Sequence, residues 1–198
     1  MFRPFSAVVV FLLAALLGGC ASTSLVNQWK SPDYTGGPIR KIVVVGVSQQ
    51  PSVRRSFEDE FAAKLNAVGV EAIPSYTVIP QDGKVDQAVL ESAVQKAGAD
   101  GVLIARLVKR QQETQVTPGY YSGGGFYGGY TAAWTGYYEM PTVYQYDVVT
   151  IETTLFSPAQ SKLVWSGTTE TFAPTDVKKE TARYADTIIG ALRKQGVI

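Results

Sequence analysis

The sequence predicts an α/β (α+β) fold: a mixed β-sheet with about three helices packed mainly on one face, in the order βαβαβββα. Three patterns carry this. Ile42-Val43-Val44-Val45 is a β-branched run with no polar alternation, as in a strand covered on both faces. Val53, Phe57, Phe61, Leu65 and Val68 recur at steps of four, four, four and three, the period of one helix face. Val149, Ile151 and Leu155 share the parity of one strand face.

Taken in order, the first strand lies between Arg40-Lys41 and Gly46. The helix after it begins near Ser52 and stops at Gly69. Arg54/Glu58, Arg55/Asp59 and Glu60/Lys64 sit one turn apart on its outer faces, which makes Glu58-Asp59-Glu60 a solvated helix face rather than an acid–base pair. Val70 to Pro74 supplies a short second strand. A turn from Pro80 to Lys84 leads to a helix with Val85, Val89, Ala93 and Ala97 on its narrow apolar face and Gly98 at its end. Gly101 to Ala105 is apolar on both faces, whereas Arg106 to Gln115 turns polar, as if projecting from the core. Tyr144 to Phe156, the turn Ser157-Pro158-Ala159-Gln160 and the return through Leu163 and Trp165 form a hairpin, with Trp165 in the core. Thr175 or Asp176 caps a final helix whose buried stripe is Val177, Thr181, Tyr184, Ala185, Ile188 and Leu192.

The amino terminus is not part of this body. Residues 1–19 hold a charged start with Arg3, an apolar run from Ala7 to Leu17, and Gly18-Gly19 in front of Cys20, the layout of a cleavable signal peptide. The apolar run is about half of the roughly 20 residues that a membrane-crossing helix needs. Residues 20–40 then read as a lipidated cysteine, a polar tether over Ala21 to Ser24 and an edge segment, and 41–198 as one domain.

Composition narrows the chemistry. Histidine is absent, which removes Ser-His-Asp and Cys-His nucleophile systems and His-containing zinc sites. Cys20 is the sole cysteine, so no intramolecular disulfide forms. Without Arg3, basic and acidic side chains balance at seventeen each, and no electrostatic argument favours nucleic acid. We expect no catalytic residues, no metal site and no cofactor. Asp100, at the mouth of a central strand, reads as a turn hydrogen-bonder, and the pair Asp100 and Glu152 is the carboxylate set that an envelope carbohydrate- or peptide-directed hydrolase would use.

Thr117 to Thr142 has the most biased composition: eight of the eleven tyrosines fall between Tyr120 and Tyr146, interleaved with glycine. A loop this long in a compact domain is either a flexible connection or a functional one. Tyr and Trp offer large amphipathic area at small rotamer cost, so Tyr121, Phe126, Tyr127, Tyr130, Trp134 and Tyr138 form a candidate contact surface for an envelope protein, a glycan or a lipid headgroup. A hairpin multiplied into an oligomeric pore is a further reading. Gly123, Gly125 and Gly128 match the spacing of a dinucleotide loop, but no helical pattern follows Gly128 to present backbone N–H groups to a pyrophosphate. Trp29 is either a recognition aromatic or packing over the sheet edge.

Two resemblances add to this. Leu17-Gly18-Gly19-Cys20 resembles the lipobox, which implies a cysteine acylated on sulfur and exposed by cleavage as the first residue. With Ala21 rather than Asp after it, the resemblance implies the outer membrane, with the domain facing the periplasm. Trp29-Lys30-Ser31-Pro32-Asp33-Tyr34, Ile42 to Val47, Phe57 to Phe61, Gly98 to Leu103 and Leu163 to Gly167 resemble a family of uncharacterised proteobacterial envelope lipoproteins. The strand-helix-strand pattern is similar, more distantly, to the amino-terminal domain of TolB and the core of the curli secretion lipoprotein CsgG. These relatives imply assembly or interaction roles without catalysis, and the CsgG likeness implies an oligomeric secretion component as the alternative.

Overall fold

The structure, a computed structural model, describes residues 22–117, 142–174 and 176–198. The strands are β1 Ser22–Lys30, β2 Lys41–Val47, β3 Glu71–Pro74, β4 Gly101–Thr117, β5 Thr142–Ser157 and β6 Lys162–Phe172. The helices are α1 Pro51–Ala67, α2 Ser75–Val78, α3 Gln87–Ala97 and α4 Val177–Lys194. One mixed sheet takes the order β1-β6-β5-β4-β2-β3. β3, β2 and β4 run parallel, and β4, β5, β6 and β1 run antiparallel. The mixed α/β class is as the sequence predicts.

The parallel half needs two covered faces, and it has them. Ile42 and Val44 point to one side, where α1 and α4 close the larger core with Phe61, Leu65, Tyr184, Ile188 and Leu192. Val43 points to the other, against Val94 and Leu90 of α3. The two long helices therefore share a face and α3 covers the other. A fully buried apolar side chain such as Ile42, Leu65 or Ile188 is worth about 1.5–3 kcal/mol relative to exposure. Phe57, Phe61 and Tyr184 stack in tilted pairs with centroids 5.7–5.8 Å apart, locking α1 to α4.

The helix ends follow local chemistry. Pro51 opens α1, Asp176 accepts the Lys179 backbone N–H at 3.0 Å to cap α4, and Gly98 takes φ +63° to close α3. That cap holds the Asp176 carboxyl below its ordinary range, chiefly through the Lys179 N–H.

Several local expectations need correction. Ser22–Lys30 is a strand, so Ser22 to Ser24 is no free tether, and the observed order starts with a strand that the predicted order lacks. The segment hides because it has no apolar alternation: Leu25 packs on the core while Val26 and Trp29 stay exposed, and β6 supplies the ladder and a Thr23–Thr171 hydroxyl contact of 3.0 Å. On α1 the buried line is Arg54, Glu58, Phe61, Ala62 and Leu65, with Val53 and Val68 exposed at its ends. Glu58 is wholly buried, not solvated. On α3 the packed residues are Leu90, Ala93, Val94 and Ala97, while Val89 is exposed and Val85 precedes the helix. Trp165 is fully buried as expected, and its ring lies across Gly167, where a side chain has no room.

Candidate functional site

Parallel strands β2, β3 and β4 end their shared ladder on one side of the sheet, where following segments diverge and leave a cleft. A groove of about 900 Å³ occupies that position. Val45 to Gln49 leave β2 across it, the first turns of α1 bring Val53, Arg54 and Phe57, and β4 contributes Ile104 to Leu107. Ile79, Gly83 to Val85 and Leu90 close the remaining side. Its walls are mainly aliphatic and aromatic, and its charged lining residues are Arg54, Lys84 and Arg106.

A buried polar knot fixes the shape of this groove. Glu58 Oε1 accepts from Gly46 N at 2.9 Å, Arg54 Nε at 3.0 Å and Ser75 Oγ at 2.7 Å, and Oε2 accepts from Tyr76 N at 3.0 Å. The Arg54 guanidinium also donates to Ser75 Oγ at 2.9 Å and to the Gln81 carbonyl at 3.0 Å, and Asp82 lies 3.6 Å away. One carboxylate thus ties the end of β2, α1 and the start of α2, and one guanidinium carries the tie on to the 81–82 segment. Both charges are compensated, as burial demands. Beside the knot, Tyr76 donates to Asp59 at 2.6 Å, and this bond heads the causes that raise the tyrosine pKa.

The sequence marked Val53 as core and left Val47, Lys84 and Leu107 aside. For Val47, Val53 and Leu107 the recoverable signal was positional, since they lie where the parallel ladder of β2 on β4 ends or in the first turn after β2, whereas Lys84 sits in the loop before α3 and carried no such signal.

The carboxylates weighed as a catalytic pair do not meet. Asp100 Oδ1 and Oδ2 accept from the Arg40 and Lys41 backbone N–H groups at 2.7–3.2 Å, which pins the start of β2 beside β4. Glu152 faces Arg106 across β4 and β5 with an ion pair of 2.6 Å. Arg106 is six positions along β4 from Asp100, about 20 Å at the rise of an extended strand. Farther out, Arg110 pairs with Asp147 at 2.6 Å, and the β4–β5 ladder continues to Thr117 and Thr142. β6 accompanies it only as far as Phe172, opposite Val148, so β4 and β5 extend alone as a ribbon. Trp29 is about half exposed on the outermost strand. Cys20, Tyr121, Phe126, Tyr127, Tyr130, Trp134 and Tyr138 lie outside the described residues.

Comparison with known proteins adds the following. A family model described as Domain of unknown function (DUF4136) matches residues 82–194, more than half of the chain, from the segment before α3 through α4. No curated protein matches. Among solved structures, the chain is similar to a PelC dodecamer from Paraburkholderia phytofirmans at 16% identity, covering 84% of this chain and 95% of that one with a TM-score of 0.45. It is similar to lipoprotein GNA1162 from Neisseria meningitidis at 17% identity, covering 79% and 96%, with a TM-score of 0.41. A minor lipoprotein from Acinetobacter baumannii shares 10% identity over 79% and 89%, with a TM-score of 0.29.

Proposed function

The chain belongs to the DUF4136 family, and from that premise we propose that it is a lipid-anchored outer-membrane lipoprotein that faces the periplasm and acts as a non-enzymatic interaction module of the envelope. The observation that carries this reading is Leu17-Gly18-Gly19-Cys20 at the end of a short apolar run, followed in sequence by the strand Ser22–Lys30. Acyl chains on Cys20, at about 0.8 kcal/mol per buried methylene, hold the domain on the membrane. The contact surface is Tyr121, Phe126, Tyr127, Tyr130, Trp134 and Tyr138, carried between the two strands of the projecting ribbon.

The test is the intact mass of the protein purified from a bacterial envelope in mild detergent, beside Cys20→Ser. A chain starting at residue 20 with added acyl mass, and a Cys20→Ser form lacking that mass, is the expected result. A mature chain of unmodified mass overturns the anchor. For the contact surface, native mass spectrometry should retain a partner that disappears when Tyr121, Tyr127, Tyr130 and Trp134 are changed together to serine.

A further inference from the structure

We propose that the groove where the parallel ladder of β2 on β4 ends binds a single-chain anionic amphiphile, of which a long-chain carboxylate is the simplest, with the chain between Val47, Val53 and Leu107 and the head at Lys84. Val47 is 59% exposed, Leu107 56% and Val53 40%, and all three converge on this one groove. Water-exposed aliphatic side chains that share a concavity mark a surface held for an apolar ligand. Beneath them the lining continues inward through Phe57 to the core, so an acyl chain meets hydrocarbon along its length.

Charge selects the head. No carboxylate lines the groove. Of its three cations, Arg54 is spent on Glu58, Ser75, Gln81 and Asp82, and Arg106 on Glu152. Lys84 alone among the three has neither a hydrogen bond nor an ion pair. One uncommitted ammonium beside apolar walls suits a single anionic head on an alkyl tail, because a doubly charged or polar ligand would find no second donor of charge. The volume of about 900 Å³ lies within the range of small-ligand sites, roughly 300–1,000 Å³. This site is independent of acylation at Cys20.

The experiment uses the purified full-length protein and a palmitate analogue carrying a mid-chain diazirine, photolysed and mapped by peptide mass spectrometry. Saturable labelling of the peptides bearing Val47–Val53 or Val85–Leu90 is expected, displaced by palmitate and not by hexadecanol at equal concentration. Lys84→Gln should raise the half-saturating concentration roughly five- to tenfold, the effect of one charge-assisted contact, and Lys84→Arg should restore it. Leu107→Glu, at an exposed site that leaves the melting temperature in place, should abolish groove labelling. Displacement by lysophosphatidylglycerol and not by palmitate assigns the same chemistry to a phosphate-headed source. Non-saturable or scattered labelling, equal displacement by hexadecanol, or an unchanged half-saturation in Lys84→Gln overturns the proposal.

Discussion

Arg54 and Glu58 bury opposite charges one turn apart on α1, with Nε 3.0 Å from Oε1 and both side chains withdrawn from water. The pair joins elements more than it adds net energy, since desolvation offsets much of the attraction. Its removal is therefore asymmetric.

Glu58→Ala strands the Arg54 cation together with the Gly46 and Tyr76 N–H groups, and should cost about 3–5 kcal/mol. Arg54→Met/Glu58→Met together should cost less than Glu58→Ala alone. Urea denaturation of these variants measures both, and a double variant as unstable as the single would show that the knot is a net stabiliser.

Gly167→Ala should destabilise the protein by about 1–3 kcal/mol, because the added methyl enters the space held by the Trp165 ring. Thermal unfolding gives the size of the loss. A shifted near-ultraviolet circular dichroism band would tie it to the indole.

Tyr184 is fully buried and bonded to the Thr153 hydroxyl, and burial pushes its pKa well above the ordinary 10.0. Below pH 10 both folded and unfolded chains keep this proton. Above it the unfolded chain loses the proton first, so stability falls as pH rises, by at most about 1.4 kcal/mol per pH unit for one group. Tyr184→Phe should cost about 1–2 kcal/mol at neutral pH through the lost hydroxyl contact. It should also flatten the decline above pH 10, and equal slopes in both proteins would refute the assignment.

Joining Thr117 to Thr142 by a four-residue turn should leave the fold intact, because the β4–β5 register is set by its ladder and the core among the described residues is built by β1 to β6 and the helices. A shorter connection lowers the closure entropy, so the midpoint should hold or rise, by about 1–2 kcal/mol of stability. A collapsed midpoint would mean that residues 118–141 belong to the core.

How far the sequence could be read depended on periodicity. β2, α1, β4, the β5–β6 hairpin and α4 announced themselves through apolar spacing, and Asp176 through its capping chemistry. β1 did not, since its Ser, Thr, Asn and Gln residues gain stability from a partner strand far along the chain rather than from an apolar face of their own. Glu58 was misplaced for a related reason: charge predicts exposure until a neighbour from another element compensates it, and Ser75, Tyr76 and Gly46 are such neighbours. Periodicity did not reveal the groove because its residues come from several separate stretches of chain. Val47 and Leu107 gained a meaning only once the sheet showed where coverage stops.

The pairing of β1 with β6 has a kinetic meaning. Ser22 meets Phe172 and Lys30 meets Trp165, so the first strand finds its ladder only in the last quarter of the sequence. Closing that span is among the slowest entropic steps available to the chain. During vectorial synthesis, the residues of β1 stay unpaired until β6 has been made. Completion of the sheet then acts as a timer, delaying native structure in β1 until the end of synthesis.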